Sequence, residues 1–357
     1  MAYGSIMSIS NDSSEFNNAI LKITGPKAGS TVTVTQGSTV INAIEDNGVW
    51  TAEVGKGNWA VDVVGDSSAV GETIEVTKNG LYETIVVFPT SVFNNNSWVT
   101  ISQVSKAGKA SQYWAVGDAK EITPKTKEIP FINFSIGSRK TFVFIIGINH
   151  NAELEGNNLI HLGCFRDMLN EDRYTMRFCL IQNEDNMFGT HTPYAKDFIM
   201  SWVEDDGGPN NKGGWKQSFV RMYSDTQLIK KFFPDDFLSV TRKAKKYTDN
   251  VGNGTGSVAS NITATEDWFC IPAPKELGLS TSFCNFYEVN YQAIYKYFET
   301  GDKAAMFTQI NSGRSSRYWL RSPVYNNKNL FNCVDVNGAV STEISDISLG
   351  YFYIFFV

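Results

Sequence analysis

The chain has 357 residues, 42% of them hydrophobic, which is enough material for two domains with real cores. Charged residues are only 19% and the net charge is −6, so the clustered basic face that a duplex-binding protein needs is missing and nucleic acid is not an expected partner. The 24 Phe, 15 Tyr and 8 Trp, with abundant Asn, fit a β-rich fold with uncharged polar loops that bind by stacking and hydrogen bonds; a large aromatic core accounts for the same composition.

In chain order, residues 1–16, MAYGSIMSISNDSSEF, carry no basic n-region and no apolar run. They read as a polar arm that orders on docking, not as a signal peptide. No stretch reaches the length of a membrane span, so membrane insertion is not expected, and the closing LGYFYIFFV reads as a buried last strand.

Residues 17–90 alternate apolar and polar side chains in seven short runs: AILKITG, STVTVTQ, STVINAI, VWTAEV, NWAVDVVG, ETIEVTK and YETIVVF. Period two places Val32 and Val34 on one face and Thr31, Thr33 and Thr35 on the other. Seven such strands between turn residues imply a β-sandwich of immunoglobulin type, with Trp50 and Trp59 filling the core in place of a disulfide. The stretch PTSVFNNNS breaks the pattern, and residues 91–96 read as an interdomain linker.

The second domain, residues 97–357, is expected to be α+β. Ser97 can cap a helix with Trp98, Ile101, Val104 and Ala107 on its apolar face, ended by Gly108. Gly117-Asp118 is a turn, and residues 141–148, TFVFIIGI, are a buried strand. Three further helices follow from 3.6-residue spacing: one with Trp215, Phe219, Met222 and Tyr223, one over residues 235–247, and one with Tyr287, Tyr291, Ile294, Tyr295 and Phe298 on one face. The basic run 242–246 is then the solvated side of a helix. The chain returns to strands in RYWLRSP, LFNCVDVNG, AVSTEIS and YFYIFFV.

Candidate chemistry is sparse. His150, His161 and His191 form no metal-ligand motif, and His150, following a buried strand, reads as structural. Cys164, Cys179, Cys270, Cys284 and Cys333 are scattered and odd in number, without CxxC spacing, so neither a disulfide framework nor a zinc site is expected. That usage fits folding in a reducing cytoplasm. Glu204, Asp205 and Asp206 could pair for glycoside hydrolysis, and DDGGPNN and DNVGNGTG hint at calcium loops, but solvated turns account for both. No cofactor and no metal is assigned.

The stretch NSWVTISQVSKAGKASQYWAVGDAKEI, together with FVFIIGINHN, GGWKQSFVR, KKYTDNVGN, RYWLRSP and FNCVDVNGAV in that order, resembles an uncharacterised family of gut bacteria and their phages. The resemblance spans nearly all of the second domain. It implies a C-type-lectin-like fold, related to the variable proteins of diversity-generating retroelements and, more distantly, to formylglycine-generating enzymes. The first domain is similar to the immunoglobulin-like modules that precede such domains in phages. The close, Gly350-Tyr351-Phe352-Tyr353, departs from the family's Gly-Val-Arg-Pro type of ending.

In the retroelement-diversified relatives the segment before the last strand meets the ligand. Here that position holds Tyr325, Asn326, Asn327 and Asn329, then Ser341, Thr342, Glu343, Ser345 and Asp346, with Trp202 as a further stacking residue. Tyr supplies rigid contact area while Asn and Ser supply adaptable hydrogen bonds. The reading is a non-enzymatic virion protein, assembled in the host cytoplasm and released by lysis, whose lectin-like domain binds a bacterial surface glycan or protein. Contacts with other virion proteins and a homo-oligomer, a trimer by multivalency, are expected. The alternatives are a decoration protein that binds only other virion subunits, and an enzyme on the formylglycine-generating scaffold.

Overall fold

The computed structural model describes residues 18–125, 128–129, 134–135, 141–170, 173–176, 200, 210–224, 229–299, 317–335, 337–347, 349 and 351–357. The chain divides into two compact units, Met1–Pro89 and Thr90–Val357. Among the described residues strand outweighs helix, and the helices are short. The polar arm of residues 1–16 lies outside the described residues.

Unit 1 contains β1 (Ala19–Thr24), β2 (Val32–Gln36), β3 (Thr39–Asn42), β4 (Ile44–Asp46), β5 (Val49–Val54), β6 (Gly57–Val63), β7 (Thr73–Val76) and β8 (Leu81–Ile85). They form two four-stranded sheets, in the orders β4-β5-β1-β8 and β3-β2-β6-β7. All pairs are antiparallel except β1 with β8. The seven expected runs become eight strands because STVINAI breaks at Ala43. β3 pairs with β2 and β4 with β5, so the chain passes from one sheet to the other at that residue. The hairpin from β4 to β5 turns on Asn47 and Gly48 at φ 51° and 76°, the positive pair that a two-residue loop needs to match strand twist.

One face of each sheet is buried in a shared core containing Leu21, Ile23, Val34, Trp50, Trp59 and Val61. The two tryptophans fill it as the sequence implies. Each satisfies its indole N–H on a backbone carbonyl, Trp50 on Ser30 at 3.1 Å and Trp59 on Gly55 at 2.8 Å.

Unit 2 opens with residues that the sequence reads as a linker, and they are built into it instead. Phe93, in a 3-10 turn, is buried edge-on against Trp114 at 5.2 Å. The Asn96 amide donates to the carbonyls of Thr90 and Val92, and Trp114 Nε1 donates to Thr90 O. An aromatic and an amide with internal partners made this stretch part of the fold, although its composition resembles a loop. α1 (Trp98–Lys106) is capped as expected, with Ser97 Oγ accepting from Thr100 N at 3.0 Å, and the chain leaves it through Gly108 at φ 70°. α2 (Ala110–Tyr113) follows.

The main sheet is six-stranded. It uses β9 (Ala119–Ile122), β12 (Thr141–Ile148), β13 (Ile160–Asn170), β14 (Arg173–Met176), β17 (Phe269–Cys270) and β21 (Tyr353–Phe356). The order is β17-β21-β13-β12-β9, with β14 also on β13. β10 (Glu128–Ile129) and β11 (Phe134–Ser135) form a separate two-stranded ladder, and α3 (Ala152–Glu155) lies between β12 and β13 in sequence. The unbroken apolar runs of β12 and β21 mark strands covered on both faces: residues 143–146 and 353–356 are all buried.

The remaining elements are α4 (Phe219–Ser224), α5 (Lys230–Phe232), α6 (Asp235–Leu238), β15 (Ala244–Asp249), β16 (Ile262–Asp267), α7 (Lys296–Glu299), β18 (Tyr318–Pro323), β19 (Leu330–Val334) and β20 (Val340–Ile344). β15 pairs with β16, and β18-β19-β20 form a three-stranded sheet.

Three expected helices are corrected. The run 235–247 gives one helical turn, α6, and then the strand β15, because AKKYTD buries Ala244, Lys246 and Thr248 at period two. The run 287–298 splits into a 3-10 turn, Glu288–Tyr291, and α7; Gln292 between them is extended and donates its buried amide to Glu288 at 2.7 Å. The run 215–223 splits into a 3-10 turn, Trp215–Gln217, and α4, and leaves Met222 exposed. In the first two cases a tertiary polar contact overrides an apolar spacing that mimics a helix.

Candidate binding face and its buried frame

The loop between β18 and β19 holds Tyr325, Asn326, Asn327 and Asn329. The three asparagines are exposed and Tyr325 is half-buried. The loop is anchored, where the sequence reading made it adaptable. Asn327 Oδ1 accepts from Asn329 N at 2.9 Å. The buried Asn211 then ties the hairpin down. Its Nδ2 lies 2.7 Å from the carbonyls of Asn327 and Leu330 and 3.2 Å from that of Val324, and its backbone N–H donates to Lys328 O at 2.6 Å. Asn211 Oδ1 accepts from Asn253 N at 2.6 Å, joining the 251–258 loop to the same point. Gly254, at φ 65°, lies so close that a Cβ there would sit 3.0 Å from Lys328 N.

A third loop completes the face. Tyr325 N donates to Phe283 O at 3.2 Å, Tyr325 O accepts from Gly256 N at 2.8 Å, and Phe286 N donates to Ser257 Oγ at 3.0 Å. Segments 251–258, 283–291 and 325–329 therefore meet around residues 256–257. Phe286 is 68% exposed, against the usual fate of a phenylalanine, and Tyr287 packs on its edge at 5.5 Å. Tyr291, also exposed, stacks on Tyr247 at 4.8 Å. Phe286 carries no sequence signal of exposure, because a phenylalanine beside the expected helix face of residues 287–298 has the pattern of a core residue.

The second group of expected binding residues lies on and beyond β20, and Ser345 N donates to Asn329 O, so the two groups are contiguous. Their exposure differs from the expectation. Ser341, Thr342 and Asp346 are half-buried. Glu343 is engaged in an ion pair with Arg317. Ser345 is buried, which is a correction: its place at the strand end turns it inward. Trp202, His191, Cys179 and the carboxylates Glu204, Asp205 and Asp206 lie outside the described residues. Trp215 is core, donating its indole N–H to Asp267 at 2.9 Å.

Beneath the face runs a polar frame centred on β15. Asp249 Oδ1 accepts from the backbone N–H groups of Val251 and Gly252, and its Oδ2 accepts from Asn285 Nδ2 at 2.8 Å. Glu288, fully buried, accepts from Asp249 N, Gln292 Nε2 and Ser322 Oγ. Further along β15, Lys246 is 1% exposed, so the basic run is not a solvated helix side. Lys246 Nζ donates to Glu155 Oε2 at 2.6 Å, Glu276 Oε1 at 3.1 Å and Tyr295 Oη at 2.9 Å. Arg321 grips both oxygens of Glu276 and donates to Thr248 Oγ1 and Ile271 O. The sequence signal for Lys246 was available: period two puts it on the face of Ala244 and Thr248.

His150 stacks on Tyr295 at 3.8 Å, and His161 Nδ1 is 3.1 Å from Tyr295 Oη. The Nε2 atoms of both rings are buried with no hydrogen-bond partner among the described residues, His150 Nε2 lying 3.8 Å from Glu155 Oε1. Burial, then the Lys246 charge, pushes His150 down to about 3; the same two causes hold His161 well below its ordinary value. Burial pushes Glu155 up to about 7 against the pull of Lys246, and pushes Glu288 up to about 7. Burial raises Glu276 too, but Arg321 and Lys246 together outweigh it and hold this carboxyl below the usual range. Burial likewise disfavours the Lys246 charge, and Glu155 and Glu276 together outweigh it.

One ligand atom each from His150, Glu155 and Glu276 lie within 4.8 Å of one another, a donor set that suits a divalent cation. The charge count does not suit it. Lys246 and Arg321 already balance the two carboxylates, and a further divalent charge would leave an uncompensated buried surplus. The same count bears on catalysis: Lys246 is held as an ammonium with no lone pair to attack a substrate. The described Cys164, Cys270, Cys284 and Cys333 are free and buried, and burial raises each thiol.

Residues 191–350 match a family model described as a domain of unknown function, DUF6273. That stretch contains the three face loops, Lys246, Glu276 and Arg321. No curated protein matches the chain. Among solved structures the chain is similar to a DUF3823 family protein from Bacteroides ovatus ATCC 8483, at 12% identity and a TM-score of 0.16. The match covers 36% of this chain and spans 56% of the length of the other.

Proposed function

We propose that the chain is a non-enzymatic phage virion protein that attaches to a bacterial surface ligand through the 251–258, 283–291 and 325–329 face. In this reading unit 1 is an immunoglobulin-like spacer or docking module, and unit 2 is a C-type-lectin-like domain. The carrying observation is the exposure of Phe286 and Asn326 on loops that Asn211, Asp249 and Asn285 hold in place from below. Preorganised loops with exposed aromatic and amide groups bind at low entropic cost. The test is saturable binding of the labelled full-length chain to a panel of gut bacterial strains, with Phe286→Ala/Asn326→Ala as the paired control. Binding lost in the double variant supports the reading; no binding by the folded wild-type chain, or binding unchanged in the variant, removes it.

One observation favours the decoration role as a second reading. On the outer face of unit 1, Ile20 and Leu81 are cross-strand partners in the β1–β8 ladder and both are exposed, a surface suited to another subunit. Binding of the chain to particles that lack it, abolished by Ile20→Lys/Leu81→Lys, is the corresponding test.

A further inference from the structure

The three loops of the face carry two formally charged side chains, Glu288 and Lys328. Glu288 is buried and spends its carboxylate on Asp249 N, Gln292 and Ser322, so it offers nothing outward. Lys328 stands exposed in the 325–329 turn. What the loops present beside it is uncharged: the Phe286 and Tyr287 rings, the Asn326 and Asn253 amides, and the half-buried Tyr325. Lys275 reaches the 283–291 loop but spends its ammonium on Val289 O, so the three loops themselves offer an acidic polysaccharide or a phosphorylated polymer one exposed counter-charge, Lys328.

The rings and the amides are also placed for different halves of one ligand. Ser257 anchors Phe286 while its neighbour Gly256 anchors Tyr325, so an exposed ring and the asparagine turn flank the same two residues. A pyranose has that division. Its axial C–H groups form an apolar patch that settles on the negative face of an aromatic ring, and its equatorial hydroxyls both donate and accept, as a primary amide does. The side chain of Asn326 is exposed, and the loops are fixed by buried bonds, so the hydrogen-bond geometry is set before the ligand arrives.

From this we infer that the face takes a neutral carbohydrate, with Phe286 as the stacking platform and Asn326 as the hydroxyl-reading residue. The inference rests on the binding reading above and names its ligand class.

The full-length chain is tested on immobilised oligosaccharides, one set neutral (glucose, galactose, mannose and N-acetylglucosamine units) and one set acidic. In parallel it is tested on the bacterial strain bound most strongly, before and after periodate cleavage of vicinal diols and before and after protease treatment. The expected result is saturable binding to a subset of the neutral glycans that persists in 1 M salt, since no ion pair is involved. Cell binding should be lost after periodate and kept after protease. Phe286→Tyr should retain binding, Phe286→Leu should lose at least about tenfold although it keeps the apolar bulk, and Asn326→Ala should lose several-fold. Preference for acidic glycans, equal binding by Phe286→Leu, or cell binding that survives periodate but not protease overturns the carbohydrate inference and leaves the binding reading standing. No binding to glycans or to cells overturns both.

Discussion

In unit 1 the core is closed by Trp50 and Trp59, whose only polar atoms each find one backbone carbonyl, and the Lys22–Glu83 ion pair stays on the half-exposed outer surface. In unit 2 two cations and two carboxylates, Lys246, Arg321, Glu155 and Glu276, are at most 3% exposed and are satisfied by one another, by the hydroxyls of Tyr295 and Thr248, and by nearby backbone. The difference lies in how each core fails. An apolar core loses free energy in proportion to the atoms removed. An ionic core fails asymmetrically, because deleting one member strands the others without water or a counter-charge. Arg321→Met should therefore cost unit 2 about 3–5 kcal/mol, the usual penalty for stranding a buried charge. Hydrogen exchange resolved by strand should show β15 and β18 losing protection while β1 and β5 keep theirs. A cost near zero would mean that Glu276 simply takes up a proton and that the two cores are alike.

Leu21→Ala sharpens the contrast from the other side. Leu21 is fully buried between the sheets of unit 1, and its truncation should cost about 3 kcal/mol. The loss should appear in the strands of both unit 1 sheets and leave β15 and β18 protected. Restoring part of the volume with Leu21→Val should recover part of the stability, a graded response that no single substitution in the Lys246 cluster should give.

The same contrast explains what could be read from the sequence. In unit 1 side-chain alternation and burial are one signal, so the strands and both tryptophans were legible. The break at Ala43 was not, because STVINAI keeps its apolar character across a change of sheet. In unit 2 the apolar runs of β12 and β21 were legible for the same reason, as were the Ser97 cap and the strands after residue 317. The helices expected over 235–247 and 287–298 failed where Lys246, Gln292 and Tyr295 use buried polar bonds. A lysine in a sequence is weighed as solvent-facing, and nothing local shows the two glutamates, 91 and 30 residues away, that meet it. The face was half legible. The Tyr325–Asn329 loop stands out as polar residues between two framework strands, whereas Phe286 looks like core.

Acid should separate the units further. Glu155 and Glu288, each raised to about 7, hold protons in the folded state that the unfolded chain releases above its ordinary carboxyl value, so they stabilise increasingly as pH falls from 7 to about 4.5. His150, lowered to about 3, and His161 work the other way: below about 6.5 the unfolded chain binds protons that the buried rings refuse. The two trends oppose each other between about 6.5 and 4.5. Below 4.5 the glutamate gain is complete, the histidine loss continues, and Glu276, held low by Arg321 and Lys246, begins to lose its contribution too. Unit 2 should show a shallow stability profile near neutrality and a steep fall below about pH 4.5. Unit 1 has an exposed carboxyl, Asp66, lowered by its bonds from Ser68, and should change little over that range. Thermal unfolding followed by unit-resolved exchange at pH 7, 5.5 and 4 measures this. Glu288→Gln, which removes one protonation step but keeps an acceptor, should weaken the gain between 7 and 4.5 without moving the steep fall.

The smallest expected effect on stability belongs to the residue on which the functional reading depends most. Phe286 is largely exposed, touches Tyr287 edge-on, and anchors its loop through its backbone N–H rather than its ring. Phe286→Ala should therefore change unfolding free energy by less than about 0.5 kcal/mol, as surface substitutions away from caps and networks do. Frame and face can then be told apart in one pair of measurements. Arg321→Met should lower stability and, with it, binding; Phe286→Ala should leave the denaturation midpoint unchanged and still remove binding. If Phe286→Ala instead lowers the midpoint by an amount typical of a core phenylalanine, the ring is part of the packing of the 251–258 and 283–291 loops. Its exposure would then be no evidence of a ligand.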